Sequence, residues 1–517
     1  MKNKIVRLLC LMLALIFLTS GLVACSDEDD GDDVPPQVVT GTGEERFNGV
    51  NFNGKTIKIC LSRNQDAERS GVSTAKYMNG IEDNDQKNEN DPILMAAYNR
   101  NEYVKGKLGL NVEYTYLNEN TGDLAGAIKT KYDANDGFAD CIANMTAGVA
   151  RVMMMGILAN CNRTDVTNYF DFTDKSWFAD VLQAYSLGAD LKTGKMYILG
   201  GDYFIDIIRT LDILFVNESV LQSTNGGEEG VKLFYSIIKG EEEDMPWTYD
   251  MMATYASYAY RNTGSEIGHD ENDENGIVYS GEFGYTTRLS NMALVYSADI
   301  DYLVNNGNGY QFNTIQNLSA LTTLRDKVAT VLDYGYGSGA ADRVKATFLK
   351  NKSLFALGLK LYNLESADLS SIKICPIPLP KLNASDEYKA YMHNNASVGA
   401  VFKTGDFEAV SAFWQYANIM SQPVREKYYT DGLGLKYDLG SDTRAMLDII
   451  YDAIDVNISF VWENLAKDEN SEAQEFTEMF QMMIQNGDQD LAGLWATYET
   501  PKRNALNAAM NKFYALN

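Results

Sequence analysis

The chain has 517 residues, of which 71 are acidic and 44 basic, for a formal net charge of −27. That length holds two or more domains, and that charge repels polyphosphate, which argues against a nucleic-acid partner. Its two histidines, His269 and His393, have no partner at ligand spacing, so neither a zinc site nor a histidine-based triad is expected.

The N-terminus reads as a leader. Lys2, Lys4 and Arg7 precede an apolar run from Leu8 to Leu18. The run is too short for a permanent span, and its flanks fit a signal peptide. It ends at Leu22-Val23-Ala24-Cys25, small residues just before a cysteine, as a lipoprotein signal peptidase requires. Residues 1–24 are expected to be removed, leaving Cys25 as a lipidated N-terminus on the extracytoplasmic face of the membrane. An ordinary secretion signal that contains a cysteine is the alternative. Ser26 to Asp33 is mostly acidic and Pro35-Pro36 follows, so residues 25–49 read as a flexible tether.

Thr56 to Leu61 alternates as a strand does. Asp91-Pro92 is a good cap and first-turn pair for a helix that Gly109 stops. Val112 to Leu117 is the next strand, Asp123 to Tyr132 a helix, and Phe138 to Ala143 a third strand. The order strand-helix-strand-helix-strand implies a parallel sheet covered by helices. Ligands of open α/β sheets bind at the carboxyl ends of strands. Ser62, Arg63 and Asn64 follow the first strand, and Asn144 and Thr146 stand in the turn expected after Ala143. All five are candidate ligand residues.

Further along, Tyr197 to Gly200 and Ile213 to Val216 are short apolar runs. Leu321, Leu324, Val328 and Val331 recur at helical spacing, as do Met446, Ile450 and Ala453. Ser353 to Leu359 and Ile372 to Ile377 read as strands, and Thr500-Pro501 as the start of a last helix. Cys60, Cys141, Cys161 and Cys375 form no C-x-x-C pair. Their contexts suit buried strands, and a disulfide between two of them stays open. The acidic run 269–276 alternates oxygen ligands from Asp270, but Asn275 stands where a calcium loop needs Gly and Gly281 where it needs Glu. A solvated loop explains the run better than a metal site, and no metal or cofactor is expected.

Several motifs, in order, resemble the family 1 extracellular solute-binding proteins. These are Gly194-Lys195-Met196-Tyr197, Gly201-Asp202-Tyr203, Leu214-Phe215-Val216-Asn217, Trp247-Thr248-Tyr249-Asp250 and Ile374-Cys375-Pro376-Ile377-Pro378. The resemblance implies an α/β protein of two lobes, each a mostly parallel sheet flanked by helices, with hinge strands between them. It places crossings near Gly200, Leu357 and Ser397. The first lobe would be 50–200 plus 358–396, the second 201–357 plus 397–517. Asp202 and Tyr203, just past the first crossing, would line the cleft, and Trp462 would stack on a sugar ring from the second lobe. With 32 Tyr and 5 Trp the chain has aromatic rings for such stacking, although most Tyr are structural. The resemblance implies a monomer that binds a saccharide, delivers it to ABC permease subunits, touches the membrane through its lipid, and catalyses nothing. A glycan-binding or glycan-hydrolysing surface lipoprotein is the alternative, since among many carboxylates some pair always suits hydrolysis.

Overall fold

The computed structural model describes residues 39–62, 74–81, 89–117, 121–135, 137–261, 282–288, 293–301, 303–305, 310–312, 315–338, 341–365, 372–393, 395–433, 440–466 and 491–516. The leader, Cys25, Arg63, Asn64 and the acidic run at 269–276 lie outside the described residues. The segment read as tether takes shape before residue 49. Gly43–Phe47 is a short 3₁₀ turn, and Phe47 stacks on Tyr416 at 4.3 Å between ring centroids.

The first sheet is built as its local signals require. Strand β1 (Lys55–Leu61) leads through α1 (Thr74–Asn79) to α2 (Pro92–Leu108). The Asp91 carboxylate accepts from the amides of Ile93 and Leu94 at 3.0 and 3.1 Å, and Gly109 ends α2 in the left-handed region at φ 60°. Then follow β2 (Leu110–Tyr116), α3 (Thr121–Ala134), β3 (Cys141–Met145) and α4 (Thr146–Met153). β1 pairs in parallel with both β2 and β3. The loop expected at 144–148 is instead the end of β3 and the start of α4. A later strand, Ser397–Val401, pairs antiparallel along all of β3 and keeps Asn144 and Met145 extended.

After α5 (Ala179–Tyr185) and the single turn α6 (Asp206–Arg209) the chain enters a second sheet. Its centre is β4 (Leu211–Asn217), buried at every position. Helices α7 (Glu218–Thr224), α8 (Gly227–Lys239) and α9 (Tyr249–Ala259) follow, then β5 (Phe283–Arg288) and α10 (Ala293–Ser297). A small hairpin of β6 (Leu303–Asn305) and β7 (Tyr310–Phe312) precedes α11 (Ile315–Leu332), β8 (Gly335–Ser338) and α12 (Ala341–Leu349). Next come β9 (Ser353–Lys360), α13 (Leu361–Glu365), β10 (Ile374–Ile377) and β11 (Ala390–Met392). With β13 (Ile454–Asp455) the sheet order is β13-β11-β4-β9-β5-β8, and β10 also pairs with β4. The strands around β5 run parallel, whereas β4 pairs antiparallel with β9, β10 and β11. Trp247 anchors the helices to this sheet. It is 1% exposed, its indole N–H donates to the Pro378 carbonyl at 3.1 Å, and its ring lies 5.3 Å from Phe234 and 5.8 Å from Phe355.

The chain then returns to the first sheet as β12 (Ser397–Val401) and α14 (Phe407–Ile419), which packs on α2. Helix α15 (Gln422–Lys427) and a wide helical turn (Tyr428–Leu433) also lie on α2. Helix α16 (Ser441–Asp452) lies against β10 and α8 of the second lobe. Helix α17 (Ile458–Ala466) rests on α4 and α5, and α18 (Leu491–Tyr514) packs on α17. Pro501 lies inside α18 rather than opening it.

Strand pairing therefore distributes the segments differently from the expected boundaries. β9 runs through Leu357 within the second sheet, so no crossing occurs there. Residues 358–396 contribute β10 and β11 to the second sheet, because Ile374–Ile377 zips antiparallel onto β4. Residues 397–433 belong with the first sheet. The connections between sheets lie at 202–210, at 393–396, between Leu433 and Ser441, and between Asp455 and Ile458. Cys60, Cys141, Cys161 and Cys375 are buried free thiols. Burial pushes the thiols of Cys60 and Cys375 up to about 12. Among the described residues no helix is long and apolar enough to cross a membrane, and no three His, Cys, Asp or Glu come together as metal ligands.

Candidate functional site

The carboxyl edge of the first sheet meets the connections between the lobes. β12 enters beside β3 with Ser397 opposite Met145. Gly399 in that strand admits the Phe204 ring, since a Cβ there would lie 2.4 Å from it. This close approach fixes the outgoing connection against the returning one. Arg209, one turn further along, is 5% exposed and stands at the centre of a charged cluster.

Its guanidinium divides three ways. Nη1 donates to Asp206 Oδ1 at 2.8 Å. Nε and Nη2 donate to the two oxygens of Glu365 at 2.8 and 2.9 Å, a bidentate grip that fits the planar fork. Its face covers the Tyr77 ring at 4.7 Å. Tyr77 comes from α1, beyond the end of β1, so this contact brings the carboxyl edge of the first sheet against Arg209. Tyr428, from the wide turn on the first lobe, donates to Glu365 Oε1 at 2.8 Å. Asp206 has no exposed side-chain surface, whereas that of Glu365 is 21% exposed. Burial pushes the Asp206 carboxyl up, and Arg209 beside it opposes the shift. The cluster thus offers one partly exposed carboxylate where two lobes meet, held by a buried guanidinium and bordered by buried aromatic rings.

A second cluster lies at the same junction. Arg425 of α15 binds Asp202 through Nη1 at 2.6 and 2.5 Å, and Tyr451 of α16 donates to Asp202 Oδ1 at 2.9 Å. The Arg425 guanidinium covers the Tyr451 ring at 3.9 Å. Farther out, Arg444 grips Glu426 at 2.5 and 2.7 Å, with both side chains about one-third exposed.

The expected ligand residues fall near this edge but face other partners. Ser62 follows β1 and is buried. Asn144 donates to the Leu117 carbonyl at 3.5 Å and accepts from the Met145 amide at 2.7 Å. The amide and hydroxyl of Thr146 both donate to the Ala396 carbonyl, the amide at 2.8 Å. Asp202 is held by Arg425 and Tyr451. Tyr203 is fully buried, with Arg100 over its ring at 4.4 Å and Phe204 against its edge. Trp462 has no exposed surface either. Its indole donates to the Ala184 carbonyl at 2.9 Å, and Phe513 packs on its ring at 5.2 Å. It is core between α5, α17 and α18, with no ring face open for stacking in this conformation. Arg209, Glu365, Tyr77 and Tyr428 were not among the expected residues.

A groove of about 970 Å³ runs between α2 and α15, past Pro92, Met95, Tyr103, Met420 and Pro423. Both its walls belong to the first lobe, so lobe movement would not change it. The junction is the better candidate.

No protein-family model matches the sequence, and no curated protein matches it. Solved structures do match. The sugar-binding protein MalE from the phytopathogen Xanthomonas citri aligns over 90% of this chain and 100% of its own, at 12% identity and a TM-score of 0.53. The galacto-N-biose-/lacto-N-biose I-binding protein of the ABC transporter from Bifidobacterium longum, in complex with lacto-N-biose, aligns over 90% of this chain and 98% of its own, at 12% identity and a TM-score of 0.48. The likeness to the first gives the fold: two α/β lobes joined by connecting segments.

Proposed function

We propose that this protein is a lipid-anchored, extracytoplasmic solute-binding protein that captures a mono- or oligosaccharide between its lobes and delivers it to an ABC import permease. The observation that carries the reading is the charged and aromatic cluster at the carboxyl edge of the first sheet, completed by side chains from both lobes. The shared fold with a sugar-binding protein supports it. In this reading Glu365 accepts hydrogen bonds from sugar hydroxyls and Arg209 donates to them. A ligand that touches both walls binds the closed arrangement better and shifts the population toward it.

The chemistry of the cluster favours binding over hydrolysis. A glycosidase needs two carboxylates that both reach the sugar. Within the cluster Glu365 is partly exposed but Asp206 has no exposed surface, so the two carboxylates do not both reach one ligand. The lipid anchor rests on the leader pattern ending at Cys25. It would hold the protein near its permease and raise the local concentration there. Cys25→Ser would then be released into the medium or keep its leader, and a processed, membrane-bound mutant would defeat the anchor.

A thermal-shift screen of neutral mono- and oligosaccharides, followed by calorimetry, tests the binding itself. A ligand at one hundred times its Kd stabilises the native state by about 2.7 kcal/mol. Glu365→Gln should weaken the hit without lowering the melting temperature of the empty protein by a matching amount. Tight binding only of peptides or metal ions would overturn the proposal.

A further inference from the structure

The Asp206 carboxylate is shared between two connections. Oδ1 accepts from Arg209 on its own turn at 2.8 Å. Oδ2 accepts from the Ser397 hydroxyl at 3.0 Å. Asp206 lies on the segment that leaves the first lobe, and Ser397 is the first residue of the strand that returns to it. Glu365, held by Arg209, is also reached by Tyr428, which opens the wide turn at the end of the first-lobe stretch 397–433. One chain of hydrogen bonds, Ser397–Asp206–Arg209–Glu365–Tyr428, therefore ties the outgoing segment to the start of the returning strand and to the wide turn on the first lobe. A carboxylate with no exposed surface survives only where its partners replace water. Those partners here are a guanidinium on one segment and a hydroxyl on another.

We infer that Asp206 is a positioning residue that sets the angle between the lobes and aims the Arg209–Glu365 pair at the same time. The inference rests on reading the junction as the ligand site. If the outgoing and returning segments turn relative to each other, the Ser397 bond must stretch or Arg209 must swing. Either movement displaces the groups that would hold a solute. The angle of the empty protein is thus restrained by the same carboxylate that orients its binding groups.

The test needs no ligand, so its failure is separable from failure of the binding proposal. Spin labels go on cysteines placed at Asp133 of α3 and Glu229 of α8. Both side chains are largely exposed, at 55% and 85%, and they stand on different lobes. Cys10 and Cys25 are replaced by serine, and the buried native thiols are left unlabelled under native conditions. The full-length protein should give one narrow distance distribution. Ser397→Ala removes one arm of the link and leaves the Arg209 contacts in place. It should broaden the distribution while the near-ultraviolet circular dichroism stays native. Asp206→Asn should broaden it further, and Ser397→Thr, which keeps the hydroxyl, should restore the narrow peak. An unchanged distribution in both Ser397→Ala and Asp206→Asn would overturn the inference. So would Ser397→Thr broadening as much as Ser397→Ala, since the effect would then be packing alone.

Discussion

Among the ionic clusters at the lobe junction, the innermost and the outermost differ in depth. Around Arg209, side-chain exposure falls from 21% at Glu365 to nothing at Asp206. Around Arg444 it stays near one-third on both partners. Water can replace a lost partner in the outer pair but cannot do so at Asp206. Similar hydrogen-bond distances therefore carry different weight. The inner cluster fixes geometry because breaking it strands a charge. The outer pair adds little beyond its geometry.

The largest effect should follow from Arg209→Met, which leaves Asp206 buried beside an apolar chain. A stability loss of about 3–5 kcal/mol in chemical denaturation is expected. A loss below about 1 kcal/mol would erase the distinction between inner and outer clusters. Trp462→Ala should cost a similar ~3–5 kcal/mol as a large core truncation. Solute affinity should hold at temperatures where the variant is folded, and lost affinity there would restore a stacking role. Asp202→Asn removes the carboxylate from Arg425, whose side chain is 14% exposed and can be rehydrated in part. It should cost about 1–3 kcal/mol, between the two extremes.

A pH titration sharpens the same contrast at another contact. Asp301 accepts from the amide of Ser459 at 3.1 Å and from its hydroxyl. Burial pushes its carboxyl from 3.8 up to about 6, against the pull of those donors. The folded state thus holds this proton more tightly than the unfolded chain. The stabilisation is complete below 3.8 and is lost as pH rises through 6. From pH 7 down to pH 5 this group should add about 1 kcal/mol, a component that Asp301→Asn abolishes. A pH slope that Asp301→Asn leaves untouched would refute the assignment. The smallest change is expected for Arg444→Ala, about 0–1 kcal/mol and declining with added salt.

Much of the first lobe was legible because its signals are local. Asp91-Pro92 and Gly109 bound α2 where the sequence says they should, and alternation locates β1. The second lobe depends on pairings that sequence spacing does not reveal. Ile374–Ile377 joins the strand at Leu211–Asn217, more than 150 residues away, and this reverses the lobe expected for 358–396. The site was half legible. Strand ends pointed to the edge where the proposed site lies, but Asn144 and Thr146 spend their polar atoms on backbone partners there. Arg209 and Asp206 had a readable signal. They are two opposite charges three residues apart inside the otherwise apolar stretch from Tyr203 to Arg209, and such charges are almost never buried unless paired. Trp462 is core in this structure, and ring type carries no information about depth. Glu365 gave no signal, since it becomes distinctive only when Arg209 reaches it.

The four buried thiols give the molecule an internal clock. Cys60, Cys141 and Cys161 sit in the first lobe and Cys375 in the second. A thiol held far above its usual titration range reacts with alkylating reagents only when its surroundings open. Pulsed alkylation read by mass spectrometry would therefore time the exposure of each lobe separately. If the lobes come apart before either unfolds, all four cysteines stay silent. If one lobe melts first, its cysteines alone take up the label, and the order of domain failure is recorded without any engineered probe.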